Sequence, residues 1–257
     1  MSRLVVKVGS SVLTRPDGYP DITMISSLVD QIVGLRESGH EVILVSSGAV
    51  ACGRRLLKDV DVSDEVESRQ LYSAMGQVRL INLYFSLFRD HGYNIGQVLT
   101  MKENFSNARE RQNQQTCMEV MLRNGVIPIV NENDTVCITE LMFTDNDELS
   151  SLVAKLMGAD ALIILSNVDG LYDGDPSKPG ASVIRRVRVD DDLSAFVGTS
   201  KSEVGRGGMA SKCASAMSAA QAGIPVLVAC GRRDNILADL LDRPDETIHT
   251  EFVAAGK

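Results

Sequence analysis

Val126-Ile127-Pro128-Ile129-Val130 runs directly into Asn131-Glu132-Asn133-Asp134. The first five residues form a short, continuous apolar stretch, the pattern of a strand buried on both faces. The next four put carboxylates and amides just past that strand's carboxyl end, where open α/β sheets bind their ligands. A second cluster, Asp145-Asn146-Asp147, closes the segment that follows. Either cluster alone is equally met by a solvated turn or a helix cap, since Asn and Asp serve in both. Together they read as a substrate pocket.

Working outward, apolar runs recur at Leu4-Val5-Val6, Val42-Ile43-Leu44-Val45, Ile95 to Leu99, Ala161 to Leu165 and Ile224 to Ala229, with helical stretches between them. Between the first two runs, Ile25, Leu28, Val29, Ile32 and Val33 keep helical spacing, and Gly39 lies where a helix stops. This is a βαβ unit, which crosses over right-handed. Repetition of the unit predicts an α/β fold, a three-layer α/β/α sandwich with a mostly parallel central sheet.

Residues 68 to 89 predict a longer helix with one apolar face made by Leu71, Met75, Val78, Ile81, Phe85 and Phe88. Tyr72, Leu80, Leu83, Tyr84 and Leu87 make a second, so the helix is either buried within the subunit or pressed against another copy. A homodimer or higher homo-oligomer is expected on the second reading. Val136 to Phe143 alternates like a hairpin, and Gly170 to Gly208 is rich in turn residues. The expected organisation is one domain over residues 1–257, with an N-lobe over about 1–155 and a C-lobe over about 156–257.

Composition narrows the function. The 257 residues are 44% hydrophobic and carry a net charge of −8, enough for a sizeable core and the wrong sign for a general nucleic-acid or acidic-membrane surface. Only 4% are aromatic and Trp is absent, which also disfavours a base-stacking platform. Cys52, Cys117, Cys137, Cys213 and Cys230 form no Cys-x-x-Cys pair, so reduced thiols are expected. The first residues enter a strand without a leader pattern, and no apolar stretch approaches a membrane span. A soluble, cytoplasmic protein is expected.

Further elements carry chemistry. Lys7 interrupts the apolar first strand and precedes Gly9-Ser10-Ser11. At a strand's carboxyl end its ammonium would neutralise a phosphoryl group, while at an edge position it would reach solvent. Ser46-Ser47-Gly48-Ala49 ends the second strand, and its amides and hydroxyls suit a carboxylate or an ordinary helix cap. Ser166-Asn167-Val168-Asp169-Gly170-Leu171-Tyr172 suits a ribose, a base or an Asx turn. Gly205-Arg206-Gly207-Gly208 opens onto Met209-Ala210-Ser211-Lys212 and a small-residue helix, where free amides, the helix dipole and Lys212 favour phosphate. A flexible loop and cap has the same look. The spacing is not a Walker A motif.

The set resembles the amino acid kinase superfamily and, within it, the kinase domain of the glutamate 5-kinases, including the form fused within pyrroline-5-carboxylate synthases. The resemblance runs from about Leu4 to Phe252. It rests on Val6-Lys7-Val8-Gly9-Ser10-Ser11, Val45-Ser46-Ser47-Gly48-Ala49-Val50, Asn131-Glu132-Asn133-Asp134, Asp145-Asn146-Asp147, Val168-Asp169-Gly170-Leu171-Tyr172 and Gly205-Arg206-Gly207-Gly208-Met209. The Asn-Glu-Asn-Asp and Asp-Asn-Asp elements are the specific part.

What the resemblance implies is transfer of the γ-phosphoryl group of ATP, with Mg²⁺, to the side-chain carboxylate of L-glutamate, the first step of proline biosynthesis. It implies catalytic roles for Lys7, Lys212 and Asp147, and a substrate pocket of Ser47, Gly48, Asn131, Asp134 and Asn146. ATP would lie on Gly9, Ser166, Asn167, Gly207, Gly208, Met209, Ala210, Ser211 and Lys212, and a glutamyl-phosphate reductase would take the product. Mg²⁺ would ride mainly on the phosphates, with no protein ligand assigned. Three departures stand out: the sequence stops without the PUA domain many members carry, Arg206 replaces a small polar residue, and Asn167 stands where Asp is common. The alternatives are a superfamily kinase for acetylglutamate, aspartate, carbamate or a nucleoside monophosphate, and a nucleotide sensor without catalysis. Asp134 favours an acceptor with a free ammonium, and retention of both lysines with Asp147 favours catalysis.

Overall fold

The computed structural model describes residues 1–57, 60–136, 143, 145–176, 178, 180–193 and 208–256. In chain order the elements are β1 (Arg3–Val8), α1 (Ser10–Leu13), α2 (Ile22–Glu37), β2 (Glu41–Ser46), α3 (Ala49–Arg54), α4 (Glu65–Asp90), β3 (Ile95–Thr100), α5 (Lys102–Ser106) and α6 (Ala108–Arg123). They continue with β4 (Ile127–Glu132), α7 (Asn146–Met157), β5 (Ala161–Ser166), β6 (Arg186–Val187), α8 (Met209–Gln221), β7 (Val226–Cys230), α9 (Ile236–Asp242) and β8 (Thr250–Phe252).

The eight strands form one sheet in the order β3-β4-β2-β1-β5-β7-β8-β6. β3, β4, β2, β1, β5 and β7 run parallel, and β8 turns antiparallel against β7. From β1 the chain moves to β2 on one side, and from β5 it moves to β7 on the other. The carboxyl ends of β1 and β5 therefore flank the place where the winding direction reverses, which is where such sheets leave a crevice.

Side-chain alternation sorts the core into two layers. Leu4, Val6, Val8, Val42 and Leu44 pack with residues of α2, α4 and α9 on one face. Val5, Ile43 and Val45 pack with α6, α7 and α8 on the other. This is the α/β/α sandwich expected from the apolar runs. Lys7 has the parity of Val5, so its stem leaves the sheet on the α7 and α8 side.

α4 docks by a stripe that takes Phe88 from one of its two expected apolar faces and Leu80 and Tyr84 from the other. Ser73, Gly76, Leu80, Tyr84 and Phe88 face inward, while Val78 and Phe85 are 60% and 45% exposed. The reason is a close crossing with α3. A Cβ on Gly76 would lie 1.8 Å from the Ala49 carbonyl oxygen, and one on Gly53 would lie 1.8 Å from that of Tyr72. Small residues therefore decide which face docks. The hairpin expected over Val136 to Phe143 and the loop residues Gly205 to Gly207 lie outside the described residues, except for Val136 and Phe143 themselves.

Candidate active site

Gly9, Ser47, Asn131 and Ser166 all lie at or just past carboxyl ends of the neighbouring strands β1, β2, β4 and β5. Gly48 follows Ser47 with φ 102°, a left-handed conformation that favours glycine, and it caps α3. Gly9 donates its N–H to the Leu165 carbonyl at 3.2 Å, which ties the β1 loop to β5. A Cβ there would lie 3.6 Å from Lys7 Nζ, so Gly9 borders the lysine's ammonium.

Asp145 caps α7 by accepting from the amides of Asp147 and Glu148 at 2.8 and 3.1 Å. This sets the first turn of α7 at the crevice and aims Asp147 at the sheet. Lys7 Nζ lies 2.5 Å from Asp147 Oδ1, and Lys212 Nζ donates to Asp147 Oδ2 at 3.1 Å. Asp147 is 0% exposed. One carboxylate from α7 thus holds an ammonium from β1 and another from the first turn of α8. Burial alone would raise the Asp147 carboxyl; the Lys7 ammonium, then that of Lys212, outweighs it and holds the group below its ordinary value. Asp145 moves the other way, pushed up by burial and by the adjacent Asp147 charge.

A second network lies beside this one. Asn146 Nδ2 donates to Ser47 Oγ at 2.9 Å, to the Ser46 carbonyl at 3.2 Å and to Asn131 Oδ1 at 2.9 Å. Asn131 Nδ2 donates in turn to Gln77 Oε1 at 2.9 Å. Asp134 is buried and paired with Arg69, whose guanidinium also donates to Glu132 Oε2 at 3.1 Å. The structure therefore brings Ser47, Asn131 and Asn146 into direct contact and joins Asp134 to them through Glu132, whose amide donates to Asn131 Oδ1 at 2.9 Å.

Of the residues expected to hold ATP, Ser166 is buried and Asn167 is exposed at the end of β5. Gly208 is the N-cap of α8 and supplies no side-chain cap to the amides of its first turn. Met209, Ala210, Ser211 and Lys212 form its first turn, and Gly207 lies outside the described residues.

Sequence reasoning missed the partners that α4 supplies. Arg69, Gln77 and Tyr84 lie on one side of that helix and touch Asp134, Asn131 and Ser46, the last through a 2.9 Å contact between Tyr84 and Ser46 hydroxyls. The available signal was polar atoms recurring every seven or eight residues along one side of the helix. Among the described residues Cys52, Cys117, Cys213 and Cys230 are free thiols. Burial pushes Cys52 and Cys213 up to about 11, which leaves them unreactive. Cys137 lies outside the described residues.

Residues 2–230 match the amino acid kinase family model. The glutamate 5-kinase of Bacteroides thetaiotaomicron is 57% identical over 252 residues, covering 98% of this chain and 70% of that protein. That of Chlorobaculum tepidum is 46% identical over 91% of this chain and 65% of its own length. That of Symbiobacterium thermophilum is 44% identical over 99% and 97% of the two chains. Among solved structures, an isopentenyl phosphate kinase substrate complex superposes with a TM-score of 0.71 at 16% identity, over 98% of this chain and 100% of that one. Carbamate kinase from Giardia lamblia bound to AMP-PNP does so with a TM-score of 0.70 at 16% identity, over 98% of both chains. At that identity the likeness is one of fold. The chain belongs to the amino acid kinase family and, within it, to the glutamate 5-kinases.

Proposed function

We propose that the chain transfers the γ-phosphoryl group of ATP to the side-chain carboxylate of L-glutamate, giving L-glutamyl 5-phosphate and ADP. The observation that carries the reading is the Lys7–Asp147–Lys212 constellation, two ammoniums on one buried carboxylate at the sheet's crevice. A glutamate carboxylate oxygen attacks the γ-phosphorus, the bond from that phosphorus to the bridging oxygen breaks, and ADP leaves with the electron pair. The nucleophile is already ionised near neutral pH, so no base is required. Such a transfer is positioning and charge neutralisation. Lys7 and Lys212 neutralise the equatorial oxygens, and Asp147 keeps the two like charges together in the free enzyme.

The acceptor is held at the other network. Ser47, Gly48, Asn131 and Asn146 present amides and a hydroxyl to glutamate, and Asp134 takes its ammonium. Residues 1–155 thereby supply the glutamate side, and residues 156–257 supply the ATP side through Ser166, Asn167, the loop including Gly207 and Gly208, and the first turn of α8, with Gly9 bordering both. A Mg²⁺ held chiefly by the nucleotide's phosphates would add to their neutralisation.

No helix among the described residues is long and apolar enough to cross a membrane. A cytoplasmic setting, with a reductase consuming the acyl phosphate, suits a labile product. Association of copies through the exposed Val78 and Phe85 of α4 is part of the same reading, and sedimentation as a monomer at micromolar concentration would remove it. The test of function is ADP release with L-glutamate, N-acetyl-L-glutamate, L-aspartate and UMP offered separately, with hydroxylamine trapping the acyl phosphate as a hydroxamate. Turnover with glutamate alone is expected; turnover with another acceptor and none with glutamate would overturn the assignment.

A further inference from the structure

Arg69 projects from the first turns of α4 into the substrate side of the site. Its Nε donates to Asp134 Oδ1 at 2.9 Å, its Nη2 contacts the same oxygen, and Nη2 also donates to Glu132 Oε2 at 3.1 Å. An arginine meeting a carboxylate usually spreads two nitrogens over two oxygens. Here both nitrogens converge on one oxygen, so no described residue donates to Asp134 Oδ2 and none accepts from Arg69 Nη1. Glu132 is engaged elsewhere as well, its Oε1 accepting from the Phe143 amide at 2.9 Å. Arg69 is 18% exposed and Asp134 is 8% exposed at the side chain, so the pair is largely shielded from solvent. A pair of this kind offers one acceptor and one donor of opposite charge. An α-amino acid zwitterion supplies the complementary donor and acceptor on a single carbon.

Resting on the glutamate reading above, we infer that Arg69 is a specificity-determining residue that binds the substrate's α-carboxylate through Nη1 while Asp134 Oδ2 takes the ammonium. Arg69 also resolves a charge conflict. Glu132 and Asp134 would together repel a substrate with two carboxylates, and the guanidinium offsets one of their charges at the point where the α-carboxylate enters. Lysine would keep the charge and lose the planar fork that serves Asp134, Glu132 and the ligand at once.

The experiment compares L-glutamate with 4-aminobutanoate, which keeps the ammonium and the phosphoryl-accepting carboxylate and lacks only the α-carboxylate. KM for glutamate and Ki for 4-aminobutanoate as its competitor are measured in wild type, Arg69→Met and Arg69→Lys, with KM for ATP as control. In Arg69→Met the glutamate KM rises on the order of 30-fold, the loss typical of truncating one partner of a desolvated charge pair. Ki for 4-aminobutanoate changes by less than about 3-fold, within the error of separating the two effects, and KM for ATP holds. Arg69→Lys falls between, and it decides the matter should Arg69→Met not fold. Parallel losses for both ligands, or an unchanged glutamate KM, would show Arg69 to be only a brace for Asp134 and overturn the inference. Absence of glutamate-dependent ADP release from wild type would instead refute the function itself.

Discussion

Replacing Asp147 by Asn keeps the shape of the side chain and removes the charge on which the site is built. The carboxylate lies 2.5 Å from one ammonium and 3.1 Å from the other. With an effective dielectric of about 20, each contact at ~3 Å contributes roughly 5 kcal/mol of Coulomb attraction, set against several kcal/mol of desolvation for each ion. The variant forfeits both attractions while the desolvation of Lys7, which is 3% exposed, remains. The two ammoniums then also repel one another. Breaking a buried pair by removing one partner costs about 3–5 kcal/mol, a large part of the roughly 5–15 kcal/mol that holds a domain together. Asp147→Asn is therefore expected to lower the urea midpoint strongly. Lys7→Met, which leaves a neutral Lys212–Asp147 pair, should lower it less. ATP brings its own negative charge to the two lysines, so nucleotide should restore more stability to Asp147→Asn than to wild type, even as turnover collapses. Equilibrium urea unfolding with and without ATP, and ADP release under saturating substrates, measure all four effects. An Asp147→Asn protein with wild-type stability and turnover would refute the reasoning, because it would mean that the lysines do not need this anion.

Three other perturbations read other parts of the structure. Lys212→Ala should lower kcat at least ~10²-fold, the loss typical of one charge-stabilising donor, and unchanged turnover in an ADP-release assay would remove Lys212 from the mechanism. Gly76→Ala puts a Cβ 1.8 Å from the Ala49 carbonyl and 2.5 Å from the Gly53 nitrogen, so α3 must retreat; a loss of at least ~1–3 kcal/mol in urea unfolding and a larger rise in KM for glutamate than for ATP are expected, since Ala49 adjoins Ser47 and Gly48. Burial lowers the His249 pKa, so the unfolded chain takes up a proton that the folded one resists; stability should fall as pH drops through the ordinary histidine value near ~6.5 and level off below the folded value, and His249→Gln should flatten the dependence of Tm on pH over that window.

How far the sequence reveals this site depends on whether the relevant signal is local. Strands β1, β2, β4 and β5 are visible because central parallel strands are apolar on both faces, and the polar residues that end them stand out by contrast. Lys7 is visible for the same reason, as a charge inside an apolar run. Strand order is not visible in any one segment, and neither is β6, two residues long in a stretch rich in turn formers. The pairing of Arg69 with Asp134 spans 65 positions, and nothing near either residue announces the other. The docked face of α4 escapes for a different reason. Two apolar faces are legible on the helix but not the choice between them, because backbone approach to α3, which turns Ser73, Gly76 and Leu80 inward, sets its rotation.

That rotation has a consequence for the chemistry. With Gly76 against α3, the positions at Arg69, Gln77 and Tyr84 fall on the side of α4 that meets Asp134, Asn131 and Ser46. A rotation that buried Phe85 instead would move all three polar groups off their partners together. Tyr84 is fully buried, and burial raises its pKa far beyond neutral pH, so it stays a neutral hydroxyl that fixes Ser46 rather than a titrating group. The lysine and carboxylate constellation is assembled by the sheet, α7 and α8, whereas the acceptor network is braced by α4. On the proposed reading, phosphoryl transfer and acceptor recognition rest on different elements, joined at adjacent residues of α7: Asn146 belongs to one network and Asp147 to the other. Changes confined to α4 should therefore alter which acceptor is held while sparing the lysines, and changes at α8 should do the reverse.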